Sequence, residues 1–170
     1  MNRALAVLLL VAASCASERK TELATLGNLS FDVPSGWNSR PLSDQRLTIM
    51  EWTPDTSVND SKESLVIIRT QSRPAITKAG PSQLVRLLGE AQTGLAKSAF
   101  TKPTRLRNPH GFVGARIEGS FVPQGQTAPY QRLHGVFVDG ESLLHVIYTA
   151  RTLDREAFET LVDSLHRKGA

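Results

Sequence analysis

Two histidines, His134 and His145, flank the dipeptide Asp139-Gly140 within the stretch Gln131–Thr149. Apolar-rich runs joined by Asp-Gly signal a β-hairpin, because a type I′ turn needs two residues that tolerate positive φ. With Asp139-Gly140 as the turn, Val138 opposes Glu141, Val136 opposes Leu143 and His134 opposes His145. A facing imidazole pair can hold a transition metal weakly or act as a latch that titrates near neutral pH. The plainer reading is two polar residues on a covered or half-exposed sheet face.

Other chemistry-bearing patterns are sparse. Nucleophilic catalysis needs a Ser, Thr or Cys beside a base, on a turn or helix start. No GxSxG is present, and the Ser-x-x-Lys spacing of Ser17 and Lys20 falls in a polar segment with nothing to fix its geometry. The sequence contains no CxxC or HExxH, which argues against the zinc sites those motifs build, and nothing in it calls for a cofactor. Asp55, Asn59 and Asp60 offer oxygen ligands, but their spacing is not that of an EF-hand and a solvated loop accounts for them.

Between Glu90 and Glu118 no residue is acidic, while Lys97, Lys102, Arg105, Arg107 and Arg116 are basic. Such a segment, with Lys102, Arg105 and Arg107 at its centre, suits an anionic lipid surface or a polyanionic envelope polymer, at about 1 kcal/mol per cation near the surface. Ordinary solvated charge is the simpler account. The formal charge of the chain is only +4, too weak to indicate a nucleic-acid binder.

The N-terminus is of another kind. Met1-Asn2-Arg3 precedes an unbroken apolar run from Ala4 to Ala13, and Ser14-Cys15 follows. A basic start, a short apolar stretch and small residues at its end describe a secretory signal, since a membrane span needs ~20 apolar residues. Ala13-Ser14-Cys15, preceded by Val11-Ala12, resembles the lipobox of bacterial lipoprotein signals, with Ala12 where that pattern most often has Leu. The resemblance implies cleavage before Cys15 and attachment of a diacylglycerol to its thiol. Cys15 is also the only cysteine, so it has no disulfide partner within the chain. Ordinary signal cleavage after Ala16 is the alternative.

These features divide the chain into a signal at 1–14, a lipidated cysteine and tether at 15–21, and one domain at 22–170. Loss of the signal removes Arg3 and lowers the formal charge from +4 to +3. A domain of ~150 residues can bury ~70% of its unfolded surface, enough for stability without disulfides or metal. Ala16 after the cysteine resembles lipoproteins sorted to the outer membrane, so the expected location is exported and membrane-anchored, facing the periplasm or cell surface.

Within the domain, Glu22–Leu26 and Leu29–Val33 read as a hairpin about Gly27-Asn28, with Ala24, Leu26, Leu29, Phe31 and Val33 on one face. Arg46–Trp52 and Glu63–Thr70 are the next strands, and Leu65-Val66-Ile67-Ile68 suggests a strand covered from both sides. Gly80-Pro81 opens a helix with Leu84, Leu87, Leu88, Ala91 and Leu95 at helical spacing. Thr104–Arg107 and Phe112–Val122 pair about Asn108–Gly111, and Val113, Ala115, Ile117 and Phe121 share a face. A last helix follows Thr152 as its cap, buries Phe158, Leu161, Val162 and Leu165, and ends near Arg167-Lys168.

Antiparallel hairpins with two helices imply an α+β fold in which helices flank the sheet, an α/β/α sandwich. The run Phe31-Asp32-Val33-Pro34-Ser35-Gly36-Trp37, with Leu144–Ala150 and a following helix holding Phe158 and Ser164, resembles the PsbP/Mog1-like group that includes DcrB-like envelope lipoproteins. Members of that group differ so widely in activity that no functional residue transfers. The expected function is a non-catalytic binding or assembly module, membrane-bound through its lipid, for an envelope protein or small ligand. The alternative is an envelope hydrolase with an unrecognised site.

Overall fold

A computed structural model describes residues 20–44, 47–54, 63–71, 80–92, 98–123, 125–139 and 142–169. Cys15, Ser17, Asp55, Asn59, Asp60, Lys97 and Gly140 lie outside the described residues, as do the signal and most of the tether. Thr21–Leu26 (β1) and Leu29–Pro34 (β2) pair as expected, Leu26 opposite Leu29 and Ala24 opposite Phe31, with Gly27 at φ 62° in the turn. His166–Arg167 (β11) pairs with β2 to complete a three-stranded sheet in the order β1-β2-β11.

The second sheet has eight antiparallel strands. Trp37–Asp44 (β3), Leu47–Pro54 (β4), Ser64–Gln71 (β5), Ser98–Phe100 (β6), Thr104–Arg107 (β7), Val113–Phe121 (β8), Tyr130–Asp139 (β9) and Ser142–Ala150 (β10) run in the order β3-β4-β5-β10-β9-β8-β6, with β7 also on β8. β3, which the alternation of WNSRPLSD did not announce, is an edge strand; Pro41 cannot donate to a ladder and is tolerated there.

One face of the large sheet meets the small sheet and the helix Arg155–Ser164 (α2). Leu29, Phe31, Val33, Leu65, Ile67, Leu133, Phe137, Leu144, Val146 and Tyr148 fill that space with Phe158, Leu161, Val162 and Leu165 of α2 and its C-cap. The helix Pro81–Gln92 (α1) covers part of the opposite face through Leu84 and Val85, which pack on Ala115, Ile117, Val136 and Leu143. Helices therefore lie on both faces, but α2 shares its side with a second sheet, so the simple helix–sheet–helix sandwich is only half the architecture. Val66 and Ile68 on the α1 side are half-buried, whereas Leu65 and Ile67 are buried, so β5 is fully covered on one face only.

Three local expectations are corrected. Leu87 is 53% exposed and Val85 takes its place against the sheet, because adjacent positions 84 and 85 both face inward. Asp154, not Thr152, caps α2: its Oδ1 accepts from the Ala157 N–H at 3.1 Å. Arg167 and Lys168 do not end α2, which stops at Ser164; Arg167 belongs to β11 and donates to Asp139.

Candidate functional site

The β9–β10 ladder is where the two histidines come from. Asp139 lies opposite Ser142, His134 opposite Ile147 and His145 opposite Val136. The expected pairing of His134 with His145 is therefore corrected by two residues. A shift of two keeps every side chain on its own face, so the apolar alternation fits either register. What holds the observed one is Asp139, drawn into the strand by Arg167, whose Nε donates at 3.0 Å, and by Arg69 at 3.5 Å. Both arginines are remote in sequence, and Asp139 is buried between them.

The imidazoles nevertheless meet as diagonal neighbours, His134 Nε2 lying 3.3 Å from His145 Nδ1. They are 1% and 5% exposed. Burial pushes His134 down to about 3, helped by His145 and Arg132, and burial pushes His145 down to about 4. At neutral pH both rings are neutral. His134 Nδ1 has no hydrogen-bond partner, so the less costly tautomer has His134 Nε2–H donating to His145 and leaves only a lone pair unmatched. Among the described residues no third ligand joins them to make a group of three or more metal-binding side chains.

Further along the same face, away from α1, the sheet forms an open basin of about 420 Å³. Arg40, Glu51, Ser64, Arg132, Thr149 and Glu63 supply its polar lining, with Phe121, Pro123 and Tyr130 along one side. Period-two geometry places Tyr130, Arg132 and His134 in a row on β9, and Thr149 faces Arg132 across the ladder. Arg132 Nε donates to Thr149 Oγ1 at 3.1 Å, and its guanidinium lies 4.4 Å from the centre of the Phe121 ring. Phe121 packs against Tyr130, over whose ring Arg151 lies at 5.6 Å. This ladder of alternating cations and rings fixes Arg132 in direction, and partial burial lowers its pKa from the ordinary guanidinium value.

The other charges of the basin have local partners. Arg40 Nη2 donates to Glu51 Oε2 at 2.5 Å. The Tyr148 hydroxyl donates to Glu63, and burial together with that carboxylate raises the phenol well above its usual range. Glu63 also lines a neighbouring hollow with Lys20, Pro34, Ser35, Trp37 and Pro54. The basin thus opens at the end of the domain where the N-terminal segment enters, with Lys20 held by the Ser35 N–H at 3.0 Å.

Neither Arg132 nor the Phe121–Tyr130 pair was singled out in the sequence, although Tyr130-x-Arg132-x-His134 carried the signal as one face of a strand. Lys102, Arg105 and Arg107 are exposed on and before β7, as a surface role requires. Arg116 is not part of that group, since it pairs with Glu159 of α2. No described helix is long and apolar enough to cross a membrane.

No family model and no curated protein matches the sequence. Solved structures do match. Cyanobacterial PsbP (CyanoP) from Synechocystis superposes with a TM-score of 0.62 at 12% identity, over 93% of this chain and 98% of that one. PA94, a Pseudomonas aeruginosa protein of unknown function, gives 0.52 at 17% identity over 88% and 99% of the two chains. A Bacteroides thetaiotaomicron structure gives 0.52 at 14% identity, covering 83% of this chain and 45% of that one. The fold is PsbP/Mog1-like, as Phe31–Trp37 and Leu144–Ala150 suggested.

Proposed function

We propose that this chain is a lipid-anchored module of the bacterial cell envelope that binds a partner or small ligand without catalysing a reaction, and that the basin is its binding site. The observation carrying this reading is the position of the basin beside Lys20, where the chain enters the fold. The five residues from Cys15 to Lys20 span at most ~18 Å, so a lipid on Cys15 keeps the basin near the membrane surface. The groups in the basin support binding over turnover: Thr149 accepts from Arg132 instead of facing a base, and the buried histidines bond to each other. Lys102, Arg105 and Arg107 add a second, weaker contact with an anionic envelope surface. In a cell with two membranes the chain is exported and held at the outer one.

The anchor and the binding site are tested separately. Intact mass of the membrane-purified protein is expected to show acyl chains on Cys15, and Cys15→Ala is expected to move the protein to the soluble fraction. Retention of Cys15→Ala in washed membranes overturns the anchor. A photo-crosslinker at Ser64 is expected to capture a reproducible component of native membranes. Hydrolysis of an envelope substrate by the purified protein, abolished by Ser64→Phe, overturns the non-catalytic reading.

A further inference from the structure

We infer that His110 and His166 form an accessible site for a transition-metal dication of the zinc, copper(II) or nickel class, apart from the basin and beside the C-terminal end of α2. The chain holds four histidines, and the fold sorts them into two pairs. His134 and His145 are sealed in the sheet, whereas His110 is exposed and His166 half-buried. The ring centres of the second pair lie 5.3 Å apart, with the planes inclined at 47°. Two imidazoles bound at ~2.0–2.1 Å to one tetrahedral metal put their ring centres about 5 Å apart, so the site needs only a turn of the rings about their side-chain bonds.

The tautomer of His166 is already the one a metal requires. Its Nδ1 lies 2.7 Å from the Ser164 carbonyl oxygen, which can only accept, so Nδ1 carries the proton and Nε2 keeps its lone pair. Metal-binding histidines are commonly oriented in this way, by giving their other N–H to a backbone carbonyl or a carboxylate. Nε2 of His166 and both ring nitrogens of His110 have no hydrogen-bond partner among the described residues, so binding breaks no existing bond. The backbones that carry the rings are held in place. His166 pairs with Ser30 in the β2–β11 ladder. The turn that presents His110 is closed by the Gly111 N–H on the Asn108 carbonyl at 3.3 Å and by the Asn108 N–H on the Phe112 carbonyl at 3.2 Å. Arg167, next along β11, is engaged by Asp139 and by the face of Phe112, and Lys168 beyond it is exposed, where solvent screens its charge. No third imidazole or carboxylate joins the pair among the described residues. Water therefore completes the coordination, and two imidazoles favour zinc, copper(II) and nickel over the oxygen-seeking magnesium and calcium. A bound metal ties β11 to the β7–β8 turn, next to Asn108, which already joins that turn to Val162 and Leu165.

The test titrates the untagged full chain in neutral detergent calorimetrically with zinc, and with magnesium as the control. Zinc is expected to bind as a single ion in the micromolar range and magnesium not to bind. His110→Ala, at an exposed position, and His166→Asn, whose amide can still donate to the Ser164 carbonyl, are each expected to weaken zinc at least tenfold. H134N/H145N is expected to bind zinc as the wild type does. Substoichiometric copper(II) is expected to broaden the ring-proton resonances of His110 and His166 ahead of those of the buried pair, and this readout with His110→Ala decides the matter if His166→Asn does not fold. Zinc binding lost in H134N/H145N but kept in His110→Ala places the ion on the buried pair and overturns the assignment. Unchanged affinity in the folded single variants overturns it as well, as does the absence of binding below millimolar zinc.

Discussion

Asn108 shows how much one side chain can hold. It is buried in the turn between β7 and β8, where its Oδ1 accepts from the Phe112 N–H at 2.8 Å. Its Nδ2 donates to the carbonyls of Val162, at 3.2 Å, and Leu165, closing the C-terminal end of α2. A helix leaves its last carbonyls without intrahelical partners, and here a residue more than fifty positions away supplies one. Asn108→Ala leaves those buried groups unmatched, and the expected loss is ~2–3 kcal/mol, read as a lower urea midpoint with an unchanged slope. In the sequence Asn108-Pro109-His110-Gly111 reads correctly as a turn, because Asn and Pro favour turns locally. Its service to α2 is not legible there, since nothing local distinguishes a turn Asn with solvent around it from one with a helix end against it. Asp139 makes the same point in reverse: its local chemistry says turn, and two distant arginines make it a strand residue.

At the scale of elements, alternation identifies β1, β2, β7, β8 and the β9–β10 hairpin, and helical spacing identifies α1 and α2. Faces are legible because a strand's side chains alternate with period two. The register of β9 against β10 is not, because a shift of two residues preserves both faces and only tertiary contacts choose between them. β3 and β6 escape notice because edge strands need no buried face on each side, so their sequences carry no apolar run. Glycines in β8 mark close approach. A Cβ on Gly114 would sit 2.2 Å from the Val136 carbonyl oxygen and 2.8 Å from the Phe137 ring. Phe137 packs across that gap, with Phe112 edge-on to it at 6.4 Å. Gly114→Ala must therefore push apart backbone that forms the β8–β9 ladder, and overpacking of this kind costs typically 1–3 kcal/mol. The expected outcome is a thermal midpoint lowered by several degrees, whereas Gly125→Ala, placed where a Cβ meets nothing within 4 Å, disturbs no packing and suffers only its positive φ.

At the scale of the whole molecule, the eight-stranded sheet is covered differently on its two faces, and the histidine pair lies where the α1 cover gives way to the basin. Val136 and Leu143 pack under α1, Arg132 and Thr149 line the basin, and His134 and His145 occupy the rows between. The pair is buried and neutral, with Arg132 as the charged neighbour on the same strand face. Both histidines have folded pKa values below the unfolded value of ~6.5. The unfolded chain then binds more protons than the folded one as pH falls below ~6.5, so stability is full above that pH and is lost below it. The decline continues until the folded values of about 4 and about 3 are reached. Its slope is ~1.4 kcal/mol per histidine per pH unit within that window. Urea midpoints measured at pH 7.5, 6 and 5 are expected to fall accordingly. The variant H134N/H145N is expected to show a shallower decline over the same interval, because its buried amides do not titrate. An equal decline in wild type and variant would mean that the imidazoles gain protons without unfolding the sheet, which a pair sealed between α1 and the basin cannot do.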